Sequence, residues 1–452
     1  TGGGPSSLIL SYLLNGHVPY YTGDHPDDLL DSKLRRLPNL LHITPEIYSH
    51  FGSSIRYASQ ALAINALLDT LVRPNADTEI NPPSCIDWRY RPEKAVSHIV
   101  LTESSNPGGQ WTRASGSASD DIGTLSYSEM LSLPGYSFTE HYQRLYGKNP
   151  PELMRPSRTL VASYYAAYPN AVGITSSIKT SYPVSRVSRT TDGFIIEPHN
   201  IKCKHLVLAT GTFTHSISPP PLLAPIQRAS CLDLPLLVIG SGFSAADTII
   251  SSPPGRKIIH LFKWAPTDRP SPLRGCHNQA YPEYASVYRQ MKAAAAKYTP
   301  SSAAVSPSMR RKSKSNPFFA HRDWASTYEG LPNATITSVT PLSTGGFQVN
   351  LTLSDGTSLS RIVGNLAYHV GQRGSLSYLD PKLLLEVTGR MKDVQVTGQT
   401  LRAKLESHGA QIAPAVFAIG SLTGDSLVRH AFGACVDAAC AIMGPGTRVG
   451  SP

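Results

Sequence analysis

The chain is 452 residues long, 40% hydrophobic and 16% charged, with a formal net charge of +10 at pH 7. That length holds two or three domains, each able to bury its own core, and it carries no run of about eighteen apolar residues such as a membrane-spanning helix needs. The basic residues are scattered apart from Arg310, Arg311, Lys312 and Lys314, which argues against nucleic acid, since positive potential equally suits an enzyme for anionic cofactors.

The six cysteines, Cys85, Cys203, Cys231, Cys276, Cys435 and Cys440, form no C-x-x-C pair and no zinc-like series, so neither a redox pair nor a metal site is expected. The sequons at Asn333 and Asn350 are expected to be chance matches in a reducing compartment, with the cytosol as the expected location.

The chain opens at Thr1 on a glycine turn, Gly2-Gly3-Gly4-Pro5-Ser6-Ser7, of the form Gly2-x-Gly4-x-x-Ser7. A buried helix is predicted through Leu8–Leu14, then Gly16 and a short strand at Val18–Tyr21. A turn of this kind sets backbone amides at a helix start against a pyrophosphate, which makes Gly2, Gly4 and Ser7 candidate cofactor ligands. A buried parallel strand normally precedes it; the expectation is that this strand lies upstream, so that residues 1–452 alone bind their first dinucleotide poorly. No acidic residue closes the Val18–Tyr21 strand, and Asp24 is the nearest candidate for an adenosine ribose.

A mixed insertion follows, with a helix predicted around Ser59–Val72, then the strand His98–Thr102 and the turn Asn106-Pro107-Gly108-Gly109. His205–Gly211 reads as a short buried strand ending in a glycine turn, and the Pro-rich connector Ser218–Pro221 leads to a second module.

That module holds the strongest element: the apolar run Leu234–Ile239, then Gly240-Ser241-Gly242-Phe243-Ser244-Ala245, then a helix-forming stretch. The first glycine permits the tight turn, the second lets amides approach a pyrophosphate, and Ala245 is small enough for helix and strand to pack closely. The next strand, Lys257–Phe262, is followed by Lys263 rather than Asp or Glu. A cation there favours a 2'-phosphate, hence NADPH, with Arg256 as a second candidate. Two such turns in one chain imply two dinucleotides, the first by order FAD.

Between about Lys292 and Asn316 the composition shifts to Ala, Ser, Pro and basic residues, as in a surface loop. A hairpin is predicted from Thr335–Val339 and Gly346–Leu353. The final segment returns to the first pattern, with the strand Val416–Gly420 and a closing helix over Val428–Met443.

The sequence resembles the flavin-containing monooxygenase superfamily, in particular its oxidative stress-induced growth inhibitor branch and, more distantly, the ornithine and lysine N-hydroxylases. The resemblance spans nearly the whole chain. It is carried by Gly2–Ser7 with Leu10–Leu14, by Pro107-Gly108-Gly109-Gln110-Trp111, Leu131-Ser132-Leu133-Pro134-Gly135 and Leu208-Ala209-Thr210-Gly211, by the second glycine turn, and by Phe417–Asp425. It implies that Gly109, Gln110 and Trp111 border a flavin, that Thr210 and Gly211 lie where the chain crosses between domains, and that Gly420 and Asp425 meet the FAD ribityl or phosphate region. In the N-hydroxylases a segment resembling Gly123–Tyr127 lines the flavin site, and a lysine placed as Glu129 is here holds the amino-acid carboxylate; with Glu129 in that place, a free ornithine-like substrate is not expected.

The fold expected is α/β, with two Rossmann-like dinucleotide-binding domains: FAD over 1–212 and 365–452, and an inserted NADPH domain over 213–364. The activity implied is hydride transfer from NADPH to FAD, reaction with oxygen and delivery of one oxygen atom to a small organic substrate, N-hydroxylation first and Baeyer-Villiger insertion second. A disulfide reductase lacks its cysteine pair here, and a non-enzymatic growth regulator that keeps the fold stands as the alternative. The sequence names no catalytic side chain.

Overall fold

In a computed structural model the protein is a mixed α/β structure. It describes residues 1–43, 47, 49–51, 60–74, 83–112, 121–228, 231–298, 322–343, 345–390 and 395–444. The basic cluster 310–314 and residues 299–316 of the predicted loop lie outside the described residues, and its first residues, 292–297, belong instead to the Pro282–Lys297 helix. No helix among the described residues is long and apolar enough to cross a membrane. The chain divides into two compact units, one of Thr1–Ala114, Gly123–His215 and Arg373–Pro452, the other of Ser115–Ile122 and Ser216–Gln372.

In the first unit the Pro5–Leu14 helix is buried on every face from Ser7 to Leu14, as an all-round apolar helix must be. Proline at its start costs no hydrogen bond, because the first amides of a helix have no partner within it. Its neighbour is the Phe432–Met443 helix, whose small residues let backbones close in: a Cβ on Gly433 would lie 2.3 Å from the Ile64 carbonyl oxygen on the Ala63–Val72 helix. That helix begins four residues later than the predicted Ser59 start, and Ser59 lies outside the described residues.

Leu206–Leu208 pairs in parallel with Val416–Ala418, and Val100–Leu101 in parallel with Ile178–Lys179. Thr1 and Gly2 run between these pairs. The Thr1 amine donates to Val207 O at 2.7 Å, Ala209 N–H donates to Thr1 O at 2.8 Å, and Gly2 N–H donates to Leu101 O at 2.8 Å. The predicted Val18–Tyr21 strand forms as His17–Tyr21, but it pairs antiparallel with Ile86–Tyr90. The strand beside the first glycine turn is Val100–Leu101. This corrects the expectation that Val18–Tyr21 is the strand that follows the turn in its sheet, and with it the choice of Asp24.

In the second unit Tyr328–Pro332, Ile258–Phe262, Leu236–Ile239 and Asn365–Tyr368 form a parallel sheet in that order. Ile258–Phe262 is buried along its whole length, the mark of a parallel strand covered on both faces. The predicted hairpin is present as Thr335–Pro341 and Phe347–Thr352, extended by Ser358–Val363. Asn365–Tyr368 hydrogen-bonds along Leu236–Ile239, so the unit continues to Gln372 rather than ending at 364.

Candidate functional site

A cavity of about 390 Å³ lies within the first unit, inside the roughly 300–1,000 Å³ range of small-molecule and cofactor sites. Gly2, Gly4, Gly109, Gln110, Trp111, Thr210, Gly211, Gly420 and Asp425 all line it. Ser7 does not: the residue is buried, 5% exposed, and its hydroxyl has no hydrogen-bond partner among the described residues. Gly123–Tyr127 and Glu129 are not among the lining residues. Arg155 holds the first of these by donating to Thr124 O and Gly123 O, and Glu129 accepts from Ser128 Oγ at 2.7 Å.

The motifs meet backbone to backbone. Gly108 N–H donates to Gly3 O at 2.7 Å. A Cβ on Gly109 would sit 2.8 Å from Gly4 Cα, with φ at +61°, and a Cβ on Gly2 would sit 2.2 Å from Ala209 O, with φ at +109°. Both positions therefore require glycine. A Cβ on Gly4, at an ordinary φ of −78°, would meet only Gly109 Cα at 4.0 Å.

The Pro5–Leu14 helix opens on the cavity with Gly4 as N-cap, no capping side chain and no acidic residue in its first turn. Its free amides and positive dipole end suit an anion. Among the described residues no Lys or Arg lines the cavity; the charged lining side chains are Glu103 and Asp425. Such a cradle fits a dinucleotide whose diphosphate is held by backbone amides.

Glu103 follows the strand beside the glycine turn, the place from which a carboxylate reaches an adenosine ribose. Sequence reasoning missed it. The signal was present, since His98–Thr102 runs directly into Glu103 before the Pro107–Trp111 motif. Asp24 is exposed and ion-paired with Arg35 at 2.9 Å, and it does not line the cavity.

Asp425 lines the cavity, but its carboxylate is engaged elsewhere. Leu62 N–H and Asn65 Nδ2 donate to one oxygen at 2.9 and 2.6 Å, and Arg402 pairs with the other at 3.0 Å. Thr210 faces Tyr378, with hydroxyls 3.4 Å apart. Burial pushes the Tyr378 phenol up, so it stays a neutral hydroxyl in the cavity wall.

In the second unit Gly240 has a φ of +148°, and its hydrogens face the His369 carbonyl, 2.3 Å from where a Cβ would be. Gly242 caps the Phe243–Ser251 helix, again with no acidic first turn, and a Cβ there would meet only Pro272 Cγ at 3.9 Å. Ser241 O accepts from Ser271 Oγ at 2.6 Å. Phe243 and Ser244 open the helix, and Phe243 packs edge-on against Tyr284.

Lys263 is exposed where Ile258–Phe262 ends. The parallel register puts that end on the side of the glycine turn. Arg256 lies at the opposite end of the sheet, donating to Asn365 Oδ1 at 2.6 Å, which removes it as a second phosphate ligand. The Lys263-Trp264 corner is held by Asn333, whose side chain bonds both the N–H and the carbonyl of Trp264.

No family model matches the chain. It is 27% identical over 348 residues to human oxidative stress-induced growth inhibitor 2, covering 64% of this chain and 67% of that protein. It is 24% identical over 492 residues to mouse oxidative stress-induced growth inhibitor 1, covering 99% and 95%. Among solved structures, a flavin-containing monooxygenase from Stenotrophomonas maltophilia aligns with a TM-score of 0.49 at 16% identity, over 76% of this chain and 90% of that one. The chain is a homologue of the oxidative stress-induced growth inhibitors, the branch that its own motifs resemble.

Proposed function

We propose that the chain is a flavoprotein monooxygenase that holds FAD in the cavity of its first unit and NADPH at the Gly240–Ser244 turn of its second, each in a Rossmann-like fold. The observation that carries this reading is the convergence of four sequence motifs, separated by hundreds of positions, on one glycine-walled cavity. The flavin would supply the chemistry, accepting hydride and activating oxygen.

The chain's own part is binding and positioning. The N–H groups of Gly3, Gly4 and Ser6 would take the diphosphate, Glu103 the adenosine ribose, and Gly109–Trp111 would border the ring system. In the second unit the amides after Gly240 would take the second diphosphate, and Lys263 a 2'-phosphate. Among the described residues that line the cavity there is no Lys, Arg or Cys and the only imidazole is His215, which suits a site that excludes water and orients its substrate rather than one built on acid–base groups. N-hydroxylation of a small amine is the favoured reaction; it rests on the resemblance.

The test is to purify the protein, record flavin absorbance, and follow NADPH oxidation with and without candidate amines. Bound FAD with oxidation accelerated by an amine and formation of a hydroxylamine supports the reading. With FAD added in excess, NADPH oxidation that no candidate amine accelerates, together with no hydroxylamine, sinks it and leaves the non-enzymatic regulator.

A further inference from the structure

Trp111 lines the cavity, and its indole lies 6.1 Å, ring to ring, from Tyr165. The rings continue into the core, from Tyr165 to Tyr164 at 5.0 Å and from Tyr164 to Tyr136 at 5.9 Å. At these separations aromatic rings are in van der Waals contact, close enough for an electron to pass between neighbours. Tyr164 and Tyr165 sit on the Arg158–Ala171 helix and are fully buried.

The hydroxyls along this path have different partners. Tyr164 donates to Tyr136 O at 2.6 Å and Tyr165 to Leu131 O at 3.1 Å. A backbone carbonyl cannot take a proton, so neither phenol can be oxidised to a neutral radical where it stands. Tyr136 is placed differently: its hydroxyl is 3.2 Å from His141 Nδ1. The other ring nitrogen of His141 is 3.1 Å from the hydroxyl of Ser163, an exposed residue. With Nε2–H turned to Ser163, Nδ1 presents its lone pair to Tyr136, and burial lowers the His141 pKa, which keeps the ring neutral.

We propose that Trp111, Tyr165, Tyr164 and Tyr136 form a relay that carries an oxidising equivalent out of the cavity and delivers it to the Tyr136–His141 pair. A one-electron oxidant in the cavity, an oxygen-centred radical, takes one electron from the Trp111 indole and becomes its anion. The indole radical cation is refilled by one electron passing from Tyr136 across Tyr164 and Tyr165. The Tyr136 O–H bond breaks as its proton moves to His141 Nδ1, and the imidazolium releases a proton from Nε2 through Ser163 to water. The net change is a neutral Tyr136 radical, a reduced oxidant and one proton in solvent. The Arg144 guanidinium, 5.3 Å over the Tyr136 ring, opposes a charged ring radical and so ties the loss of the electron to the loss of the proton. The source of the oxidant rests on the proposed oxygen chemistry of the cavity; the conduction does not.

The test is pulse radiolysis of the full chain with azide radicals, in a Trp88→Phe, Trp264→Phe, Trp324→Phe background that leaves Trp111 the single indole. The indolyl absorption is expected to convert to a tyrosyl absorption at a rate independent of protein concentration, and Tyr136→Phe is expected to abolish that conversion. An unchanged tyrosyl yield in Tyr136→Phe, or a rate that scales with concentration, overturns the relay. Should circular dichroism show the triple background to be unfolded, freeze-quench electron paramagnetic resonance on the otherwise native chain with and without Tyr136→Phe decides it: loss of the tyrosyl signal supports the relay and its persistence refutes it. FAD titration of the same preparation, followed by fluorescence, reports separately on the flavin reading.

Discussion

His260 donates its Nε2–H to the carbonyl oxygen of Gly240 at 2.7 Å, and its Nδ1 accepts from the Tyr328 hydroxyl at 2.8 Å. A side chain in the middle of a buried strand thus holds the first glycine of the second turn. His260 is 1% exposed. Replacing it by alanine leaves a void and two unpaired polar groups, at an expected cost of about 3 kcal/mol in urea denaturation. Burial lowers its pKa from 6.5 to about 4. The unfolded chain therefore binds the proton first: stability is full above pH 6.5 and falls toward pH 4, by about 3 kcal/mol for this group. The gap between wild type and His260→Gln should narrow over that interval, and a constant gap would show that the imidazole is not held neutral.

Glu103 and Asp24 make opposite predictions. Glu103→Ala is expected to weaken FAD by about 2 kcal/mol, the loss of a charge-assisted hydrogen bond, while leaving riboflavin 5'-phosphate unaffected because that ligand has no adenosine ribose. Asp24→Ala should change neither. Isothermal titration of both variants with both ligands checks this.

Lys263→Ala should raise the KM for NADPH about tenfold, about 1.4 kcal/mol, and leave that for NADH unchanged. Equal effects on the two nucleotides would show that Lys263 does not meet the 2'-phosphate. Arg256→Ala should not discriminate between them, since Arg256 sits at the far end of the sheet.

Asp425 is expected to matter first for stability. Asp425→Ala removes one of the two carboxylates paired with Arg402, leaving Glu406, and takes away the acceptor for Leu62 and Asn65, and leaving these buried donors unsatisfied costs about 2–3 kcal/mol. A large loss in thermal or denaturant stability without FAD present is the expected result. A variant of native stability that fails only to bind flavin would return Asp425 to the role that the resemblance implies.

What the sequence made legible was local. The strand, glycines and helix over Leu236–Ser251 sit within one short stretch whose periodicity and turn residues need no distant partner. The first and last helices were legible for the same reason, as apolar stretches, though they begin at Pro5 and Phe432 rather than at Leu8 and Val428. The strand after the first turn was misassigned because His17–Tyr21 and Val100–Leu101 look alike in isolation. Only pairing, with Ile86–Tyr90 for one and with Gly2 for the other, tells them apart. Glu103 was lost with that strand. Asp425 was placed by analogy, and nothing in its neighbourhood of sequence points to Leu62, Asn65 and Arg402.

The two glycine turns share an asymmetry. At Gly2 and Gly240 the chain's own atoms forbid a side chain, whereas at Gly4 and Gly242 they leave room for one. Glycine at the latter two positions is not a demand of folding. These are reporter positions: Gly4→Ala and Gly242→Ala should give proteins that unfold within about 1 kcal/mol of wild type yet lose FAD and NADPH respectively. Whatever intolerance they show measures the bound molecule's closeness to the backbone rather than the protein's own packing.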